Sequence, residues 1–221
     1  MSVVLTERLF DLSHSLAGEF LRSLRYPWQA LDRIGEWILA IGAELDEGDY
    51  MCRGEGVWIA RSANVHGSAV IEAPCIVGER CELRPGAYLR GNVLLGEGCV
   101  VGNSTELKNA ILFDGVQVPH FNYVGDSILG YRAHLGASAV ASNVRSDKAP
   151  VIVHLPNGDL ATGRKKVGAM VGDGTEVGCG AILAPGAVTG RGSVIYPLSL
   201  VRGTVPEGAI YKSHENIIKR G

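Results

Sequence analysis

The 221-residue chain has no apolar run approaching the roughly 18 residues that a bilayer-spanning helix needs, and its first dozen residues already hold Glu7 and Asp11. No membrane association is therefore expected, and the chain is placed in the cytoplasm. Blocks of one charge sign are missing too. The 21 basic and 23 acidic residues are interspersed to a net charge of -2, so no stripe of positive potential is available to follow a nucleic-acid backbone. There is no Cys-x-x-Cys spacing. Five cysteines, an odd number, fit reduced thiols better than a disulfide frame or a structural zinc site, and no metal is expected.

What the chain does have is a period of six. Stepping from Ile59 gives Val65, Ile71, Val77, Leu83, Leu89, Leu95, Val101, Leu107 and Phe113, apolar each time. With 46% apolar residues, a fixed phase gives such a run with odds on the order of one in two thousand. Four residues after each come Ala63, Ala69, Cys75, Cys81, Ala87, Val93, Cys99 and Thr105, nearly all small, which marks a second inward station with little room. Cysteine serves there as a small apolar filler. Gly78, Gly96 and Gly102 follow inward residues directly, where a tight bend would call for a residue without Cβ. The pattern predicts a mainly β fold, a parallel β-helix of six-residue rungs.

The phase is lost after Phe113, returns at Leu129, Leu135 and Ala141, and lapses again before resuming at Val171, Val177, Leu183, Thr189, Ile195 and Val201. The second lapse is expected to be a loop, about 142–169, inserted into one solenoid. This divides the chain into a helical cap or arm (1–50), the β-helix domain (51–205) and a short tail (206–221). In the arm, Leu9, Phe10, Leu12, Leu16, Phe20 and Leu24 recur at helical spacing behind a capping Thr6. A second helix would open at Pro27, present Trp28, Leu31, Ile34, Trp37, Ile38 and Ile41, and close at Gly42. These helices either cover the open end of the β-helix or dock a protein partner.

Candidate chemistry gathers where the phase breaks. Glu106-Leu-Lys-Asn-Ala and Pro119-His-Phe-Asn-Tyr-Val-Gly-Asp126 combine acids, bases and an aromatic. Glu106 and His120 could pair, the carboxylate orienting an imidazole that takes a proton from an amine. Arg84 and Lys108 each follow an inward residue and would project from adjacent corners, either gripping a phosphate or lying solvated.

These segments resemble the C-terminal acetyltransferase domain of glucosamine-1-phosphate acetyltransferase/uridylyltransferase enzymes. The resemblance spans roughly residues 83–212 and includes Leu83-Arg-Pro-Gly, Val101-Gly-Asn, Glu106-Leu-Lys108, His120-Phe-Asn-Tyr-Val-Gly-Asp and Gly163-Arg-Lys-Lys-Val-Gly-Ala. It implies a left-handed β-helix, usually a homotrimer, that acetylates an amino-sugar phosphate from acetyl-CoA. On the same resemblance His120 is the general base, supported by Glu106. Arg84, Lys108, Tyr123, Asn143 and Lys166 would hold the sugar phosphate, and Ala137, Cys179, Pro197 and Lys212 would line the coenzyme A groove. A main-chain amide would stabilise the oxyanion. The chain departs from the bacterial pattern at His134, Val144, Cys179 and Pro197, and its segment through Pro156-Asn-Gly is closer to the archaeal form.

The nucleotide-binding start of the bifunctional relatives is not found in residues 1–58, so a free-standing acyltransferase half is expected. Two rivals remain. A zinc hydratase of the gamma carbonic anhydrase class shares the β-helix but carries a histidine pair five residues apart, which His66, His120, His134, His154 and His214 do not supply. A non-catalytic trimeric scaffold would have no physical need for Glu106, Lys108, His120 and Tyr123 together.

Overall fold

The computed structural model describes residues 3–219, so the last two residues of the expected tail lie outside it. From Val57 onward the chain winds as a parallel β-helix with three faces, each coil hydrogen-bonding in register to the one beneath. The first face stacks Val57–Ala60, Cys75–Val77, Val93–Leu95 and the distal halves of Glu106–Leu112 and Tyr123–Leu129, then Met170–Val171, Val188–Thr189 and Thr204–Val205. The second runs from Asn64–Val65 to Ala209–Ser213. The third runs from Val70–Glu72 through the proximal halves of Glu106–Leu112 and Tyr123–Leu129 to Leu200–Val201. Added antiparallel strands, Tyr50–Cys52 below and Asn216–Lys219 above, cover edges that would otherwise stand open.

The six-residue register slips earlier than the sequence suggests. Leu95 stacks on Leu112, not Phe113, and Leu112 on Leu129. The rungs 107–112 and 124–129 are each one residue short, and the tightened corners fall at Asn109 (φ +50°) and Asp126 (φ +48°), two residue types that tolerate the left-handed region. Phe113 is apolar for another reason: it is fully buried with its ring centroid 5.1 Å from that of Phe10.

Gly78, Gly96 and Gly102 do not take positive φ; space is what excludes a side chain there. A Cβ on Gly102 would lie 1.4 Å from the Pro119 carbonyl oxygen of the next coil. The inward cysteines behave as fillers. Cys75, Cys81 and Cys99 are buried, burial pushes the Cys75 and Cys99 thiols up, and the Cys81 and Cys99 thiols donate to the carbonyls of Gly96 and Phe113.

The N-terminal segment neither forms two long helices nor caps an end. It folds as α1 (Thr6–Leu9), a 3-10 turn Leu12–His14, α2 (Gly18–Arg22), a 3-10 turn Pro27–Ala30 and α3 (Ile34–Gly42). Thr6 is the first helical residue rather than the cap, and its buried hydroxyl has no partner among the described residues. Asp11 interrupts the first predicted helix. Its carboxylate accepts from the Ser13 amide and hydroxyl, while its own N–H donates to Asp173 Oδ2 at 2.6 Å.

The segment lies lengthwise along the first face, because that face is apolar on its outside too. Ile76, Leu94, Ile111, Ile128, Met170 and Val188 point away from the solenoid core and are still fully buried. α3 packs on the strands carrying the first three, and Gly42, expected to end the helix, brings it close: a Cβ there would sit 2.4 Å from the Trp58 ring. The loop 142–169 contains an antiparallel hairpin, Ile152–Leu155 with Gly158–Ala161, and closes at its base through a Val144–Lys166 bridge. No helix among the described residues is long and apolar enough to cross a membrane.

Because Leu94 joins arm to solenoid and is fully buried, Leu94→Ala should lower the unfolding free energy by about 2–5 kcal/mol in urea titration. A loss below about 1 kcal/mol would contradict a packed arm.

Candidate active site

Two neighbouring zones hold the residues singled out from the sequence. The first is a column at the corner between the second and third faces. His120 ends the strand Gln117–His120 and is exposed. Its carbonyl accepts from the Ser138 amide (3.0 Å), the Ala137 carbonyl from Gly180 (2.8 Å) and the Cys179 carbonyl from Leu198 (2.9 Å), while the Lys212 carbonyl accepts from the Ser199 hydroxyl (3.2 Å). His120, Ala137, Cys179, Pro197 and Lys212 therefore occupy one corner, coil upon coil. The Ala137 N–H has no acceptor among the described residues. Phe121 (φ +53°) and Leu198 (φ +58°) hold left-handed conformations on the same column, 57% and 85% exposed. Bulky apolar residues seldom adopt either state.

Asn122 builds this corner from inside. It occupies the small inward station between Thr105 and Ala139, filled elsewhere in the chain by Ala, Cys, Thr, Ser or Val, and it is 2% exposed. Its Oδ1 accepts from the His120 amide (3.1 Å), and its Nδ2 donates to the carbonyls of Gly136 (2.8 Å) and Ala139 (3.1 Å). One buried amide thus fixes the main chain of His120 and the turn that carries Ala137.

The second zone lies on the third face where the short rungs meet the loop. Asp126, its side chain 6% exposed, is the hub: it accepts from Asn109 Nδ2 (2.9 Å) and from Asn143 Nδ2, and Lys108 Nζ stands 3.6 Å away. Asn143 Nδ2 also donates to Tyr123 Oη at 3.2 Å. Gly125 leaves room for that contact, since a Cβ would come within 2.5 Å of Tyr123 Oη and 2.8 Å of Asn143 Nδ2. Lys166 is exposed on the returning limb of the loop, opposite Val144, and the Val167 amide donates to the Asn143 carbonyl at 3.0 Å. Lys108, Tyr123 and Asn143 thereby surround Asp126, with the main chain of Lys166 paired beside Asn143.

Two expected contacts are not made. Glu106 does not pair with His120: its carboxylate accepts from Arg90 Nη1 at 2.7 Å, and among the described residues no hydrogen bond reaches the His120 ring. Arg84 stands apart from the cluster, forked onto Glu82 at 3.0 and 3.3 Å at the end of Glu82–Leu83. Its neighbour on the second face is a nearer carboxylate than any on the third. Arg90, Asn109, Asn122 and Asp126 had no assigned role; for Arg90 the available signal was its stacking eighteen residues below Lys108. No group of three His, Cys, Asp or Glu among the described residues is arranged to hold a metal.

A parallel β-helix with a histidine and an open main-chain amide on one exposed corner has the architecture of an acyltransferase, and the comparisons agree. The family described as the GMPPB C-terminal domain matches residues 71–154. The bifunctional protein GlmU of Methanococcus maripaludis is 33% identical over 137 residues, 62% of this chain and 33% of that protein. The uncharacterized acetyltransferase YaiX of Escherichia coli O6:K15:H31 is 32% identical over 168 residues, 76% of this chain and 72% of that protein. Among solved structures, the acetyltransferase domain of PglB from Neisseria gonorrhoeae in complex with acetyl coenzyme A aligns at 17% identity and a TM-score of 0.36, covering 73% of this chain and 56% of that one. The chain belongs to the hexapeptide-repeat acetyltransferases, and its fold is a parallel β-helix. It spans about a third of the length of the GlmU relative.

Burial raises the Tyr123 phenol above its ordinary value of 10, and the carboxylates of Asp126 and Glu106 push it the same way. The phenol is neutral at physiological pH. A pKa raised on folding stabilises fully below the unfolded value and is lost above it. The stability advantage of the wild type over Tyr123→Phe should therefore hold to about pH 10 and shrink beyond it. Urea midpoints at stepped pH would check this, and a difference that grows above pH 10 would contradict it.

Proposed function

We propose that the protein transfers the acetyl group of acetyl-CoA to the amine of an amino-sugar phosphate, of the glucosamine 1-phosphate or galactosamine 1-phosphate type. The observation that carries this reading is the shared column: an exposed His120 continuous with Ala137, Cys179, Pro197 and Lys212, and an open Ala137 N–H beside it. Exposed apolar side chains on this corner suit a pantetheine chain, and Lys212, its Nζ 5.0 Å from the Tyr196 ring, suits the anionic end of coenzyme A.

In the reaction the acceptor nitrogen attacks the thioester carbonyl carbon. His120 accepts the amine proton as the C–N bond forms, and the Ala137 amide donates to the oxyanion. When the C–S bond breaks, the proton on His120 is available to the departing thiolate. Lys108, Tyr123, Asn143 and Lys166 hold the acceptor phosphate, and Arg90, ordered by Glu106, takes the part first given to Arg84. The arm and the solenoid act as one catalytic unit, with the loop as a wall of the acceptor site.

The reading extends to a homotrimer. Val70, Ile182 and Leu200 lie 52%, 45% and 56% exposed on the third face, in line with Leu198 at the corner. Such a stripe suits burial against copies of the same chain.

Release of free thiol from acetyl-CoA should appear with glucosamine 1-phosphate, galactosamine 1-phosphate or a nucleotide-linked amino sugar, and no turnover with any of them would refute the proposal. His120→Ala should lower kcat by about a hundredfold or more without moving the urea midpoint. Lys108→Ala should mainly raise the acceptor KM, because a remote anion contact serves ground and transition states alike.

A further inference from the structure

The N-terminal arm touches the acceptor zone at two places, both within four residues of the same turn. Asn109 Nδ2 donates one hydrogen to the Leu31 carbonyl of the arm (3.1 Å) and the other to Asp126 Oδ1 (2.9 Å). Arg164, on the limb of the loop that returns to Lys166, pairs with Asp32, and its Nη2 is 3.5 Å from the Gln29 carbonyl. Residues 29–32 thus grip the short-rung corner on one side and the loop on the other.

The geometry of Asn109 is forced. Leu31 O and Asp126 Oδ1 are both acceptors, so only the amide nitrogen can face them, and the buried Oδ1 of Asn109 is left without a partner among the described residues. An unpaired buried acceptor is costly, so it is retained where both donations count. Asp126 in turn is the one group that touches Asn109, Asn143 and Lys108 together, and its carbonyl also receives the Gly168 amide at 2.7 Å, which fixes the far end of the loop.

We propose that Asp126 is a positioning residue of the acceptor site, and that the N-terminal arm holds it in place through Asn109 while bracing the loop through Arg164. This rests on the acceptor-site reading above for its kinetic consequence, though not for its mechanical one. Asp126 acts through others: a carboxylate has two acceptor oxygens for two amide donors and a negative charge for the Lys108 ammonium. An asparagine in its place has one acceptor, turns an NH2 against Asn109 or Asn143, and offers Lys108 no charge. The arm is therefore a part of the acceptor site, and a displaced arm would loosen acceptor binding while leaving the coenzyme column, one corner away, unaltered.

Two measurements test this in the full-length chain. In the first, Asp126→Asn should raise the acceptor KM about threefold or more while the acetyl-CoA KM stays within about twofold. An equal rise in both constants, or none, overturns the positioning role, and a fall in the acceptor KM would mean that Asp126 only competes with phosphate for Lys108. Should Asp126→Asn fail to fold, Asp32→Ala, at a side chain 76% exposed, should give the same split in smaller measure.

The second measurement needs no turnover. Asp32→Ala and Asn109→Ala should each speed amide hydrogen exchange across residues 143–168 by about threefold or more, with the coils of residues 171–201 unchanged. Unchanged exchange in the loop overturns the brace. A wild type that acetylates no amino-sugar phosphate, yet answers the exchange test, would sink the proposed function and leave the brace standing.

Discussion

Every coil of this protein must offer its N–H and C=O groups in register to the coils on either side, and that single requirement governs what the rest of the chain can do. A coil may lose a residue only if its neighbour accepts the change. Here two successive coils each drop one residue, and the shortened corners stack, Asn109 beneath Asp126, both in the left-handed region. The strands Glu106–Leu112 and Tyr123–Leu129 run on across the corner, so one site gathers residues from the third face, the first face and the loop that opens just above. A polar cluster appears where two coils in a row have each been tightened by one residue.

The same geometry separates two tasks. The column proposed for the acyl donor follows the corner between the second and third faces, where stacking repeats without interruption and a buried Asn122 secures the turn holding Ala137. The contacts proposed for the acceptor sit at the opposite edge of the third face, around a nearly buried Asp126. Rigid backbone supplies the first, and a network of side chains supplies the second. A network depends on every member, which is why the arm's contact with Asn109 matters although the arm contributes no reacting group.

Much of this was legible in the sequence, and the failures have identifiable causes. The inward positions, the filler cysteines and the inserted loop follow from the period alone. Stacking at eighteen residues sets Arg90 beneath Lys108, and Arg90 is the residue that binds Glu106. Phe113 kept the phase by coincidence, since its apolar character serves Phe10 of the arm. The first of the two helices expected over residues 6–42 is interrupted where Asp11 is tied to Asp173, a partner far along the chain, and a periodic pattern carries no trace of such a tether. A clearer signal went unused: the runs Cys75-Ile-Val, Val93-Leu-Leu and Ala110-Ile-Leu are apolar on both sides of the strand, which marks a covered face.

The sequence by itself determined the solenoid, because each six-residue rung satisfies a local rule: one large residue inward, one small, and no side chain where coils come close. It also placed His120 on the same kind of corner as Ala137, Cys179 and Pro197, since stacking preserves phase. Only the tertiary structure decided which partners the charged side chains take. Glu106 turns to Arg90 and not to His120, Asp126 becomes the hub for Lys108 and Asn143, and the arm lies along a face instead of closing an end. Backbone register is a short-range, periodic quantity that a string of residues can encode. Side-chain pairing depends on distances between coils and across the insertion, and those exist only once the solenoid is wound.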